Sequence, residues 1–203
     1  MEFRELLERR RMVRSYDARP VEREKLERIA ETIRRVPSAG YSQGQRLLLV
    51  TDEETRRQIA EIAGEADWVA RGNERWISVA PVHAFVLTRE DDYHERYQRE
   101  DKLEVTGGVE VEWPVPYWHV DAGALMMTLL LAAIDEGLAA GFFGLVPEDG
   151  ERAKELLGIP DELALVGALT IGYPADDSRA ARKASRRTQA RKPLDDLVHW
   201  EQW

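Results

Sequence analysis

His119-Val120-Asp121-Ala122-Gly123-Ala124-Leu125-Met126-Met127-Thr128-Leu129-Leu130-Leu131-Ala132-Ala133-Ile134-Asp135-Glu136 is the stretch that decides how this chain folds. From Ala122 to Ile134 only Thr128 is polar, so a helix here is apolar nearly all round. Such a helix is buried on every side. Gly137 follows as the residue that closes it. The apolar run is 13 residues long, short of the roughly 20 that a membrane crossing needs, so a core helix is expected. A chain of 203 residues is about one domain and can hardly surround this helix alone. A second subunit is expected to cover its remaining face.

Outward from the helix, short apolar runs at 47–51, 82–88, 142–146 and 163–171 read as buried strands. Helical spacing covers 2–11, with Phe3, Leu6 and Leu7 on one side, and 21–36, with Leu26, Ile29, Ala30 and Ile33 on one face. Further helices are expected at 52–66, which opens with acids that suit the helix dipole, and at 148–157. The segment 37–44, Pro-Ser-Ala-Gly-Tyr-Ser-Gln-Gly, is a loop by composition. The charge-dense 89–102, with Tyr93 and Tyr97, reads either as a surface helix or as a lid. With no internal repeat and no linker, the chain is one domain, 1–203, whose helices and strands surround one sheet. Its last residues, 193–203, carry Trp200 and Trp203. A free tail seldom keeps such apolar bulk in water, so this tail is expected to dock, the other subunit being one place for it.

Composition removes several classes of function. Cysteine is absent, which excludes disulfides, thiolate catalysis, Cys-ligated zinc and Cys-held iron–sulfur clusters. The net charge of -9 argues against generic nucleic-acid binding. The charged start and the lack of a long apolar segment point to a cytoplasmic protein with no membrane partner. His83, His94, His119 and His199 are scattered, and Asp121 beside His119 is an ordinary helix-opening residue, so no metal site is expected. Gly-x-Ser-x-Gly, the P-loop and Gly-x-Gly-x-x-Gly are all absent. What remains is arginine. Arg10, Arg11 and Arg14 crowd the end of the first helix, and 179–192 holds Arg179, Arg182, Lys183, Arg186, Arg187, Arg191 and Lys192 without one acid. Two concentrated basic spots in an acidic chain are either solvated faces or the seat of a small anion. A phosphate monoester suits the bidentate guanidinium fork.

These motifs resemble one family. Arg10-Arg11-Met12-Val13-Arg14-Ser15-Tyr16 is similar to the Arg-Arg-Ser-x-Arg-x-Phe opening of the nitroreductase family of FMN-dependent oxidoreductases. The segment 37–46 resembles that family's Ala-Pro-Ser-x-x-Asn-x-Gln-Pro-Trp, 132–141 its central helix ending in Gly-Leu-Gly, and 172–174 with 191–200 its last strand and C-terminal extension. Met12 stands in place of serine, Tyr41 where asparagine is common, and Gln189 where lysine often helps hold phosphate.

The resemblance implies an α+β fold, a central mixed sheet flanked by helices, with the C-terminal extension swapped onto a partner. It implies a homodimer with two FMN sites at the interface. Arg10, Arg11 and Arg14 would meet phosphate and ribityl, with Met12 acting through its backbone and Arg191 closing on the phosphate. Pro37, Ser38, Ala39 and Gln43 would pass beside the flavin of the other subunit. Phe142, Phe143 and Gly144 would pack along the isoalloxazine, although by their sequence alone the two phenylalanines read equally as core. The activity implied is hydride transfer from NAD(P)H through FMN to a small electron-poor acceptor, nitroaromatic or quinone, by a ping-pong route. No side chain is singled out as a catalytic acid or base. Dehalogenation, dehydrogenation, deazaflavin-linked reduction and non-catalytic flavin binding are the alternatives on the same fold.

Overall fold

A computed structural model of the chain describes residues 2–175 and 190–203. Arg179, Arg182, Lys183, Arg186, Arg187 and Gln189 lie outside the described residues. Four strands, β1 (Gln45–Val50), β2 (Val82–Thr88), β3 (Ala139–Phe143) and β4 (Ala164–Gly172), form a sheet in the order β1-β2-β4-β3. All three pairings are antiparallel, with Gln45 opposite Thr88, Val82 opposite Ile171 and Ala139 opposite Gly172. The α+β class holds, but the expected mixed sheet is corrected to an antiparallel one among the described residues. Each neighbour returns from the opposite end, so a parallel strand would have to be added at an edge by another segment.

Every residue of β2 is buried, because both faces of the sheet are covered. Side chains alternate between faces along a strand. Val82, Ala84 and Val86 therefore join one core with Leu169 and Ile171, while Phe85 joins the other with Phe143 and Ala168. The first core is roofed by α7 (Tyr117–Asp135), through Ala122, Leu125, Leu129 and Ala133, and by α2 (Arg23–Glu31), through Leu26 and Ile29. Burying one such leucine contributes about 1.5–3 kcal/mol. The second core is covered by α3 (Glu53–Ile62) and α8 (Pro147–Leu157) through Ile59, Ala60 and Ala153.

Length and mean hydropathy, 19 residues and 1.4, would let α7 pass for a membrane-crossing helix. It packs against all four strands instead. Its opposite stripe, with Val120 and Met127, is exposed in the single chain, which is the shortfall in cover expected of one domain.

Several boundaries move for local reasons. The helix expected at 52–66 stops at Ile62, because Gly64 turns left-handed (φ 70°) and starts α4 (Glu65–Ala70). The helix expected at 21–36 tightens after Glu31 into a 3-10 turn, Thr32–Arg35. The segment expected as one helix or a lid is two helices, α5 (Asp91–Tyr97) and α6 (Glu100–Thr106), and Tyr93 is fully buried. Strand β3 begins three residues before the expected Phe142. Its Gly141 is required by a close approach: a Cβ there would lie 2.2 Å from the Val13 carbonyl oxygen. Ahead of this approach lies α1 (Phe3–Arg9), which buries no residue.

Candidate functional site

The arginine arm, residues 10–16, leaves α1 and runs beside β3. The Val13 N–H donates to the Ala140 carbonyl (3.0 Å), and Asp17 N–H to that of Tyr173 (2.9 Å). Tyr16 anchors the arm from below. It is buried, and its hydroxyl bonds to Thr170 Oγ1 (2.8 Å) and donates to the Val13 carbonyl (2.9 Å). Burial pushes this phenol far above its ordinary range, so it stays protonated. The arm's cations are left over. Among the described residues no carboxylate pairs with Arg10, Arg11 or Arg14, and the Arg14 guanidinium rests 5.3 Å from the centre of the Trp76 ring. Trp76 is held by Glu65, whose buried carboxylate accepts from the N–H groups of Trp76 (2.7 Å) and Ile77 (2.6 Å).

Where β3 ends, the chain passes Gly144 and enters α8 through Val146, which offers no side-chain cap. First-turn N–H groups of a helix have no partner inside it. They border a cavity of about 530 Å³ lined by Leu145, Val146, Pro147, Glu148, Lys154 and Val166, among others. That volume falls in the roughly 300–1,000 Å³ range of ligand sites. Free cations along β3, and unpaired amides at its end beside a largely apolar hollow, fit a ligand with an anionic tail and a flat, polar-edged ring.

Phe142 and Phe143 lie on opposite faces of β3. Phe143 points into the second core, its ring 5.5 Å from His83, 6.2 Å from Trp76 and 6.4 Å from Phe85. Phe142 points to the opposite face and packs against the first core. Successive residues of a strand cannot share a face, so the two rings cannot form one wall. Neither lines the cavity; 145–150 does.

The loop 37–44 lies at the entrance to β1, level with Thr88 and Ala164, whereas the arm meets Ala140 and Pro174 at the other edge and the other end of the sheet. Gly40, Tyr41 and Gln43 all have left-handed backbone, at φ 59°, 61° and 56°. For the two non-glycine residues this costs about 1–2 kcal/mol each. Pro37, Tyr41 and Gln43 are exposed, and Ser38 and Ala39 half-buried. Arg191 is exposed on the tail. So are Leu194, Trp200 and Trp203, which find no seat among the described residues of their own chain.

Beside the loop sits an aromatic cluster. Trp113 packs against Tyr97 (centroids 4.5 Å), Tyr93 (6.1 Å) and Trp118 (6.0 Å). Its indole N–H donates to Glu110 (3.0 Å), which also meets His94 Nδ1 at 2.5 Å. That bond holds the His94 pKa above its ordinary value.

The model of the nitroreductase family matches residues 7–173. The chain belongs to that family. It is 34% identical over 195 residues to FMN reductase [NAD(P)H] of Bacillus subtilis (strain 168), covering 94% of this chain and 70% of that protein. Among solved structures, the hypothetical oxidoreductase YcnD from Bacillus subtilis superimposes with a TM-score of 0.72 at 27% identity, over 98% of this chain and 73% of that one. The NADPH:FMN oxidoreductase from Vibrio harveyi, solved with NAD+, shares the fold with a TM-score of 0.71 at 22% identity, over 98% and 76% of the two chains.

In this family member the groups that hold the arm and the loop were not foreseen. Asp121 is no mere helix opener. Its Oδ2 accepts from the Ala39 N–H (2.9 Å) and from the Tyr93 hydroxyl (2.8 Å). An acid on the stripe that α7 otherwise buries with Ala122 and Leu125 was the available signal.

Proposed function

We propose that the chain is a homodimeric, cytoplasmic oxidoreductase that uses FMN and NAD(P)H to reduce a small electron-poor acceptor, a nitroaromatic or a quinone. The observation that carries this reading is the arm of three arginines laid along β3, without carboxylate partners among the described residues. The family supports it, as does the relative named for FMN reduction with NAD(P)H. FMN, when bound, would supply the hydride chemistry between the nicotinamide and the acceptor, which would use one face in turn. Arg10, Arg11 and Arg14 hold the phosphate, with Arg191 as a further donor from the tail and Met12 contributing through its backbone. The amides following Gly144 are available to the polar edge of the ring. Pre-aimed donors of this kind favour developing negative charge at little reorganisation cost. Pro37, Ser38, Ala39 and Gln43 reach the flavin of the other subunit, in keeping with the distance between loop and arm within one chain.

Two unpartnered surfaces support the dimer. One is the outer stripe of α7 with Val120 and Met127. The other is a groove of about 380 Å³ between α2 and the free edge of β1, lined by Leu26, Ala30, Ile33, Leu47 and Leu49. The exposed apolar residues of 193–203 suit that groove on a second copy. Light scattering should give about twice 23.3 kDa, an interface of the obligate kind. Initial rates with NAD(P)H varied at fixed quinone levels should give parallel double-reciprocal lines. Intersecting lines would mean that both substrates bind together, and the shared-face reading would fail.

A further inference from the structure

Resting on the flavin reading above, we infer that Asp121 and Tyr93 are positioning residues for the cofactor: they fix the loop 37–44 from behind, so that its exposed side is presented to the flavin in one conformation. The loop does not hold itself. Three of its residues are left-handed, two of them without the glycine that this favours. Its local bonds, Gln43 N–H to Ser38 Oγ (2.9 Å) and Ser42 Oγ to the Ala39 carbonyl (2.7 Å), tie the loop only to itself.

The external fastenings of residues 37–40 come from side chains. Asp121 Oδ2 takes the Ala39 N–H at one end. Arg96 Nε donates to the Gly40 carbonyl (2.9 Å) in the middle. Gln45 Nε2 donates to the Pro37 carbonyl (3.0 Å) at the base. The Tyr97 ring covers Gly40 so closely that a Cβ there would sit 2.4 Å from it.

Asp121 is the junction. One carboxylate oxygen joins the loop, α5 and α7, because the Tyr93 hydroxyl donates to the same atom. Burial and this carboxylate push the Tyr93 phenol well above its ordinary range, so the proton stays where it must be to donate. A buried carboxylate is costly unless its oxygens are satisfied. Its retention at the foot of an otherwise apolar helix is accounted for by the loop it holds. The side chains of Pro37, Tyr41 and Gln43 are exposed on the outward face of the loop, as expected of a surface kept for a ligand.

The test uses the full-length protein with FMN. Asp121→Ala, Asp121→Asn and Tyr93→Phe are compared with wild type by FMN titration, by visible circular dichroism of the bound flavin at saturation, and by melting of the apoprotein. Asp121→Ala should weaken FMN about tenfold or more and alter the visible dichroism. Asp121→Asn, whose amide oxygen can still accept from Ala39, should restore most of both. Tyr93→Phe keeps the ring and loses one donor, so it should fold and show the same spectral change with about threefold weaker binding. A lower melting point with unchanged dichroism and unchanged FMN affinity in Tyr93→Phe and Asp121→Ala would make the pair merely structural and overturn the inference. Should wild type itself fail to take up FMN, the flavin reading falls, and the inference with it; wild type that binds, with variants that bind identically, removes the inference alone.

Discussion

The arginine arm and the loop at β1 are fixed by opposite means. The arm is fastened through its backbone, by Val13 on Ala140 and Asp17 on Tyr173, with the one buried side chain of Tyr16 beneath it. Its arginine side chains are thereby left without a carboxylate partner among the described residues, Arg14 resting on Trp76. The loop has a strained backbone and is fastened by side chains from elsewhere, Asp121, Arg96 and Gln45. Where side chains must meet a charged group, the main chain does the holding. Where the main chain and small residues such as Ser38 and Ala39 must be presented, side chains from behind do it.

The largest effect that breaks this contrast is expected at Arg14. Losing a charge-assisted contact costs about 1.5–3 kcal/mol, or roughly ten- to a hundredfold in affinity. Arg14→Ala should therefore weaken FMN by that factor in a fluorescence titration and leave riboflavin, which lacks the phosphate, almost unaffected. Equal losses for both would mean that Arg14 acts through its stacking on Trp76 and not on phosphate.

Each region also carries one histidine, and the two respond to pH in opposite directions. His83 lies beneath the arm's side of the sheet, fully buried, with Nε2 2.8 Å from the Ile77 carbonyl and Nδ1 without a partner. Burial pushes its pKa down to about 4. The unfolded chain takes up this proton more readily than the folded one between pH 6.5 and about 4. In that window stability should fall with falling pH by about 1.4 kcal/mol per pH unit, and above it the penalty is absent. Urea unfolding at a series of pH values measures this, and His83→Gln, which keeps a donor towards Ile77, should flatten the acid limb.

His94 on α5 behaves the other way. Glu110, with Glu90 behind it, holds its pKa up. Its contribution is complete below the ordinary histidine value and is lost as pH rises through the raised folded value. The smallest effect is expected here, because the pair is partly open to water. Histidine proton resonances followed across pH should show His94 titrating late, and Glu110→Gln should return it towards the ordinary value.

The contrast also explains what could be read without coordinates. Strand β2 spans the apolar run at 82–88, and α7 follows from thirteen residues that could go nowhere but a core. The arm drew notice as three neighbouring arginines, Arg10, Arg11 and Arg14, whose charge alone left a solvated face and an anion seat both open. Gly141 was given no structural role of its own, and only the approach of Val13 reveals why a strand needs a glycine there. The separation of Phe142 from Phe143 was not legible, because sequence neighbours look like one patch until the strand sends them to opposite faces. Asp121, Tyr93 and Glu65 could not be assigned at all. Their partners are distant in sequence or bonded through backbone amides, which leave no residue pattern to read.

The most direct measurement is the anaerobic absorbance spectrum of the purified protein, loaded with FMN, before and after NADH or NADPH. The account expects one of the two nicotinamides to bleach the visible flavin band at once, and a quinone added afterwards to restore it. A flavin that stays oxidised for minutes with both nicotinamides would contradict the account and leave a deazaflavin-linked or non-catalytic role for the same fold.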